Sequence, residues 1–356
     1  MKTVRLQAAA AFWLHQQWQT RGLWACLLWP FSCLALFYVL AKRRWYQRDA
    51  RRMYRAPVPV VIVGNLYVGG VGKTPVVIAL VQQLLALGWN PGVISRGYGV
   101  KIGAAARVGQ GHLDALAMGD EPTLISALTH VPVGVHPSRR LACQALLNTY
   151  PEIDIIVSDD GLQHLALARD LEIIVQDTRR TGNGWLLPAG PLREPASRLN
   201  TVDLVITRLA LPPQRGVQLV QTDTPESTEL SMWLQITKIH SLDNKINLSV
   251  NEFIKLQENK TSIAIAAISQ PDRFFNSLSA VGIMYRNSTG LPDHHPLDAD
   301  FFKTQRADLL LITAKDAVKC RAVQDSRIWV VATEAVFSDP RWATTLSKQL
   351  TRFAKS

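Results

Sequence analysis

A glycine-rich turn held between two apolar runs constrains this chain more than any other feature. Val58, Val60, Val61, Ile62 and Val63 form a β-branched run, the pattern of a strand buried on both faces. Gly69, Gly70, Val71 and Gly72 follow, then Lys73, Thr74 and Pro75, and a second apolar run opens at Val76. Strand, glycine loop and helix in that order make a phosphate cradle. The glycines let consecutive backbone N–H groups converge on an anion, and the following helix presents its positive end. In that context Lys73 reaches the β- and γ-phosphates, and the Thr74 hydroxyl is a Mg²⁺ ligand. Pro75 sits where a missing N–H costs the helix nothing. The spacing departs from G-x-x-x-x-G-K-[ST], because Tyr67 stands at the first glycine position. Residues 69–74 are closer to the GGxGKT variant, with Val68 where that variant usually carries a second lysine.

The 356-residue chain has a net charge of +11, a value that first suggests nucleic acid. Its distribution argues otherwise. Residues 1–55 hold ten Lys and Arg against one acid, Asp49, so the remaining 301 residues carry only about +2. The body lacks a basic groove's worth of charge, and no nucleic-acid partner is expected. Four cysteines without paired spacing (Cys26, Cys33, Cys143, Cys320) argue against a disulfide framework or zinc site and fit a reducing compartment.

Residues 22–41 contain no charge and are long enough to cross a bilayer as a helix. Lys42, Arg43, Arg44, Arg48, Arg51, Arg52 and Arg55 follow, against Lys2, Arg5 and Arg21 before. By the positive-inside rule the body then lies in the cytoplasm. Trp24, Trp29 and Pro30 leave open a helix or bent hairpin lying in one leaflet. In either case the reading is a body tethered to a membrane surface, the arginines holding anionic headgroups.

Downstream, residues 74–88 read as a helix and 91–95 as a short strand leading into Arg96-Gly97-Tyr98-Gly99. That loop suits contact with phosphate or substrate, and equally a surface turn. Asp120 and Glu121 precede a helix, and an N-cap accounts for only one of them. Arg139 begins the next helix. Residues 153–159 form an apolar strand ending at Asp159 and Asp160, the pattern of a carboxylate strand that holds Mg²⁺ opposite the P-loop threonine. Gln163 and His164 then fall where a γ-phosphate would lie. Further strands are expected at 171–177 and 202–207. The Gly/Pro-rich loop between them ends in Arg193-Glu194 and reads as functional.

The pattern weakens over 212–260, which divides the chain into an anchor (1–55), a P-loop domain (56–230) and a smaller α/β domain (231–356). The fold class is therefore α/β: a P-loop NTPase-like α/β/α domain, a second α/β domain and an N-terminal membrane helix. In the last third, Asp293-His294-His295 suits a general-base or orienting role better than a metal pair. Lys315, Asp316 and Lys319 share a helix face and are compatible with an ion-paired surface.

Seven strings in order carry a resemblance: GNLYVGGVGKTP, SRGYG, GDEP, SDDGLQH, GNGWLLPAGPLRE, DHH and TAKDAVK. Together they resemble the tetraacyldisaccharide 4'-kinases, from about residue 64 to 331. The chain departs from that pattern at residues 266–275, AAISQPDRFF, where members tend toward GIGNPxRFF, and at TAKD in place of TEKD. The resemblance implies ATP-dependent phosphorylation of the 4'-hydroxyl of lipid A disaccharide 1-phosphate, on the cytoplasmic face of the bacterial inner membrane. It implies ATP and Mg²⁺ as cofactors, and no obligate protein partner is evident in the sequence. By motif, Lys73 and Thr74 bind triphosphate and Mg²⁺, and Asp120, assisted by His294, takes or orients the sugar hydroxyl's proton. Asp159, Asp160 and Gln163 serve the metal or the γ-phosphate, and Arg193 and Glu194 complete that shell. Arg96, Tyr98, Glu121, Arg139 and His164 are the substrate-side candidates. A base contributed by the opposite domain predicts closure over substrate. The competing classes are a membrane-bound P-loop ATPase, which would turn over ATP without an acceptor, and a basic adaptor with a regulatory P-loop.

Overall fold

The structure is a computed structural model, and it describes residue 14 and residues 16–213, 228–320 and 322–354. Lys2, Arg5 and part of the weakly patterned 212–260 stretch lie outside the described residues.

The strands are β1 (Val60–Gly64), β2 (Pro91–Ser95), β3 (Arg107–Gly109), β4 (Val133–Val135), β5 (Ile155–Asp159), β6 (Leu171–Asp177) and β7 (Leu204–Arg208). They continue with β8 (Thr228–Ser241), β9 (Asn247–Leu248), β10 (Ser262–Ala266), β11 (Asn287–Gly290), β12 (Leu309–Thr313) and β13 (Ile328–Phe337). All join one sheet in the order β11-β10-β12-β13-β8-β7-β6-β1-β5-β2-β4-β3, with β9 attached to β8. Pairing is parallel from β2 through β8, while β13 pairs antiparallel to β8. β1 lies between β5 and β6, so strand order departs in both directions from the P-loop strand. In open α/β sheets such a switch point, at the carboxyl ends of the strands, is where ligands bind.

Alternation along β1 shows why its sequence is apolar at every position. Val61 and Val63 face one core with the P-loop helix (Lys73–Ala86) through Val77, Leu80 and Leu84. Val60 and Ile62 face the other, with Ala142, Leu146 and Leu186. The C-terminal helix, Trp342–Ala354, returns to the first core through Trp342, Leu346 and Leu350. Trp89 Nε1 donates to Ser347 Oγ there at 2.9 Å.

Two domain expectations change in the structure. The boundary drawn between 230 and 231 falls inside β8, whose start pairs with β7 and whose remainder pairs with β13. The C-terminal helix, assigned by sequence order to the smaller domain, packs in the P-loop half because its apolar stripe matches that half's surface. The second half keeps its own core, built around Phe253, Phe274, Phe275 and Trp329. Local boundaries also move. The ambiguous stretch before residue 260 contains a helix, Val250–Leu256, started by a capping box in which Ser249 and Glu252 satisfy each other's backbone N–H.

Helix Leu23–Gln47 continues through Pro30 and lies along the body. Ser32 Oγ donates to the Leu186 carbonyl at 2.7 Å and accepts from Ala189 N at 2.9 Å. Ala35, Leu36 and Val39 pack on the Leu186 core, and Arg43 reaches Glu194 at 3.3 Å. Leu23, Leu27, Phe31, Leu34 and Phe37 on the remaining surface are exposed.

Candidate active site

Gly69 and Gly72 adopt φ of 108° and 95°, so the loop requires glycine at both positions. Gly72 caps the helix that begins at Lys73, and Lys73, Thr74 and Pro75 form its first turn. Val71 is fully buried in the core beneath, which anchors the loop from below. Lys73 Nζ donates to Asn65 Oδ1 at 3.0 Å and lies 3.2 Å from Asp160 Oδ1. Asn65, fully buried, also donates to the Tyr67 and Gly69 carbonyls and so braces the loop from inside. The sequence offered little sign of that role, since an asparagine after a strand reads as a turn residue. From the second half, Ser269 closes on the loop: a Cβ built on Gly70 would lie 2.0 Å from Ser269 Oγ.

The two aspartates at the end of β5 differ in kind. Asp160 has φ 52° and lies between Lys73 and Arg193 Nη1, the latter 3.5 Å from Oδ2. Burial would raise its carboxyl, but Lys73 and Arg193 outweigh that and hold it below the ordinary range. Asp159 is 1 % exposed, and neither carboxylate oxygen has a hydrogen-bond partner. Burial, with Glu121 adding, holds its carboxyl well above the ordinary range, against the pull of Lys73. A buried carboxylate without a partner is costly, and a cation is what would relieve it. Among the described residues no three His, Cys, Asp or Glu cluster as a metal cage. Mg²⁺ needs none, because it is usually held by one or two carboxylates, waters and substrate phosphate. Asp159 and the Thr74 hydroxyl fit that donor set.

Two residues expected in the ligand shell, Glu194 and Gln163, and one expected on the substrate side, Arg139, have other occupations. Glu194 is buried, and its oxygens are taken by Arg198 Nε (3.1 Å), Arg43 (3.3 Å) and Gln163 Nε2 (3.1 Å). It ties the anchor helix to the site and is not free to ligate a metal. Gln163 is correspondingly committed to Glu194 and to the Asn65 carbonyl at 3.4 Å. Arg139 is 2 % exposed and donates to the carbonyls of His136, Asp159 and Asp160. It shapes the turn bearing the aspartates and cannot touch substrate. His164 is half-buried, and burial with Arg139 and Arg96 nearby lowers its imidazole to about 4, so it is neutral at pH 7.

On the other side of the P-loop helix, Asp120 is the first residue of helix Asp120–Thr129, where the macrodipole favours a carboxylate. The sequence placed it ahead of the helix; Gly119, at φ 93°, caps instead. His294 Nδ1 from the second half lies 2.9 Å from Asp120 Oδ2. Lys319 Nζ is 3.7 Å from the same oxygen, held by Asp316 at 2.8 Å and the Ala267 carbonyl at 3.2 Å. Burial alone would raise the Asp120 carboxyl, yet His294 and Lys319 bring it below the ordinary range. Lys315 bridges Glu121 (3.0 Å) and Asp293 (3.3 Å). Lys315, Asp316 and Lys319 are therefore no surface ion pairs but the second half's contribution to the site. A single turn with all three on one face looks solvated until its partner helix is known. Tyr98 is exposed beside His294, ring centroids 5.2 Å apart, and Arg96 is exposed on the same loop.

A sequence profile of the family Tetraacyldisaccharide-1-P 4'-kinase matches residues 24–351. The chain belongs to that family. A Tetraacyldisaccharide 4'-kinase of Bordetella parapertussis is 48 % identical over 337 residues, covering 95 % of this chain and 96 % of its own. That of Actinobacillus succinogenes is 43 % identical over 342 residues, covering 95 % and 99 %. Among solved structures, LpxK from Aquifex aeolicus in complex with ATP is 25 % identical with a TM-score of 0.75, covering 92 % of this chain and 98 % of that one. The α/β P-loop fold class read from sequence is the family's fold.

Proposed function

We propose that this chain is an ATP-dependent lipid kinase that transfers the γ-phosphoryl group to the 4'-hydroxyl of tetraacyldisaccharide 1-phosphate in lipid A biosynthesis. One observation carries the reading: the P-loop half and the second half meet at a carboxylate–imidazole pair, Asp120–His294, next to an intact Lys-Thr phosphate cradle. Asp159 links the two, since it feels both Glu121 beside the base and Lys73 in the cradle.

Phosphoryl transfer needs in-line positioning and neutralised charge more than a strong base. Without nucleotide, Lys73 and Arg193 rest on Asp160. An incoming triphosphate competes for both cations, and the backbone N–H groups of residues 69–74 hold its β-phosphate. Asp159 and Thr74 would hold Mg²⁺, which when bound neutralises charge between β- and γ-phosphates. Asp120 accepts or orients the proton of the attacking hydroxyl, and His294 fixes the carboxylate's orientation from across the interface. Lys319 keeps Asp120 ionised. Tyr98 and Arg96, on the exposed loop beside His294, line the approach of the glycolipid.

Helix Leu23–Gln47 supports attachment to the inner membrane at its cytoplasmic face. Docking through Ser32, Val39 and Arg43 along its length favours a helix lying against the body with its outer face in one leaflet, over one that crosses alone. A four-chain acceptor hardly leaves the bilayer, so confinement to its surface raises encounter. The test is γ-labelled ATP with the disaccharide 1-phosphate in detergent micelles, beside a control without lipid. Label transfer to lipid is expected; ATP hydrolysis without transfer would reject the kinase reading.

A further inference from the structure

Arg208 is the last residue of β7, two strands from the P-loop strand and on the opposite side of it from β5. Its side chain lies across the cradle. A Cβ on Gly72 would meet Arg208 Cδ at 2.8 Å and Nη1 at 3.1 Å. Among the described residues its guanidinium makes no hydrogen bond or ion pair, although the side chain is mostly covered. Burial, with Arg273 adding, lowers its pKa to about 10, while Asp177 pulls the other way. Among the described residues, the carboxylate that acts on it is already committed. Asp177 accepts from Arg179 Nη2 at 2.7 Å and from Arg273 Nη2 at 2.6 Å, the second reaching across from the other half. Three guanidiniums thus converge beside the glycine loop against one aspartate.

A covered cation without a partner is unfavourable unless an anion arrives to meet it. The topology says which part of the ligand that is. The acceptor machinery, Asp120, Glu121 and Asp159, lies on the β5 side of β1, so the γ-phosphate points there. The chain of phosphates crosses the loop, and its nucleoside end emerges on the side of β6 and β7. We propose that Arg208 is a nucleotide-binding residue, pairing with the α- and β-phosphates as a second cation beyond Lys73. Arg179 and Arg273 occupy Asp177 and so leave Arg208 for the ligand. This rests on the reading of the P-loop as the nucleotide site. Nothing in the sequence marks the residue, since a lone arginine after a strand reads as a surface charge.

The test uses the full chain in detergent, with ADP and ATP binding measured by calorimetry for wild type, Arg208→Gln and Arg208→Lys. Loss of a charged hydrogen bond to phosphate corresponds to roughly tenfold to hundredfold weaker binding. We expect Arg208→Gln to lose about that much for ADP and ATP alike, and Arg208→Lys to lose less. KM for ATP should rise while KM for the lipid holds. The unliganded melting temperature should stay or rise, because an unpaired charge has gone, and only the ADP-induced increase should shrink. Unchanged ADP affinity in Arg208→Gln overturns the proposal. So does an equal fall in melting temperature with and without ADP, which would make the residue a structural prop. Inorganic triphosphate binding wild type and Arg208→Gln with equal affinity, while ADP weakens, would assign the contact to the nucleoside and reject the phosphate pairing. If wild type itself bound no ADP, the P-loop reading would fail before this one was reached.

Discussion

The contact between Gly70 and Ser269 allows a sharp test of how the two halves share the nucleotide site. Gly70 is not among the glycines with left-handed backbone, so alanine meets no conformational penalty there. The obstacle is steric. An added Cβ would lie 2.0 Å from Ser269 Oγ and 3.1 Å from Ser269 Cβ. The hydroxyl can rotate away at the cost of a poorer rotamer, on the order of 1 kcal/mol. The Cβ–Cβ approach cannot be relieved that way and requires the loops to part by a few tenths of an ångström. Together these cost about 1–3 kcal/mol, as overpacking usually does. Thermal unfolding reads this directly: each kcal/mol corresponds to roughly 2–4 °C in domains of 150–250 residues. Gly70→Ala should therefore melt several degrees lower and show a raised KM for ATP. Ser269→Ala in the same chain removes the hydroxyl but keeps the Cβ, so it should restore part of the loss. Ser269→Gly removes both and should restore nearly all of it. The double-mutant cycle would then show a coupling of about 1–2 kcal/mol. If Gly70→Ala melts like wild type, or if Ser269→Gly leaves its defect untouched, the second half does not rest on the P-loop as described.

Other outcomes follow from the same site. Lys73→Ala should abolish transfer while the chain still folds, read by activity beside far-UV circular dichroism. Asp120→Ala should depress kcat far more than ADP affinity, and adding His294→Ala should cost little more, because the two act as one unit; additive losses would separate their roles. Burial would raise the carboxyls of Asp177 and Glu172, but arginines outweigh it and hold both below their ordinary range, so their stabilisation is present above that range and lost as pH falls through their folded values. Arg198→Met, which removes a partner of Glu172, should flatten the acid side of a melting-temperature profile. Deleting residues 1–44 should release protein from membranes in flotation assays, and full retention would reveal a further anchor in the body.

The P-loop, both aspartates of the carboxylate strand and most central strands were legible because each is a local signal. A buried parallel strand is apolar at every position, and glycine, lysine and threonine stand in fixed order. What escaped was tertiary. Glu194 and Arg139 looked like ligands because a charged side chain reads as exposed, whereas each is buried, Glu194 against Arg43, Gln163 and Arg198 and Arg139 against the carbonyls of the aspartate turn. Lys319 looked like a surface charge for the converse reason: its companion Asp120 lies some two hundred residues earlier. Boundary 230/231 failed because weak patterning marked a strand that two units share, not a linker between them.

That shared strand limits how the enzyme moves. β8 is bonded by backbone to β7 on one side and β13 on the other, so swinging the halves apart would mean unzipping a ladder in the middle of the sheet. Closure over substrate must therefore work through bending or twisting of a continuous sheet and its loops, not through separation at a linker.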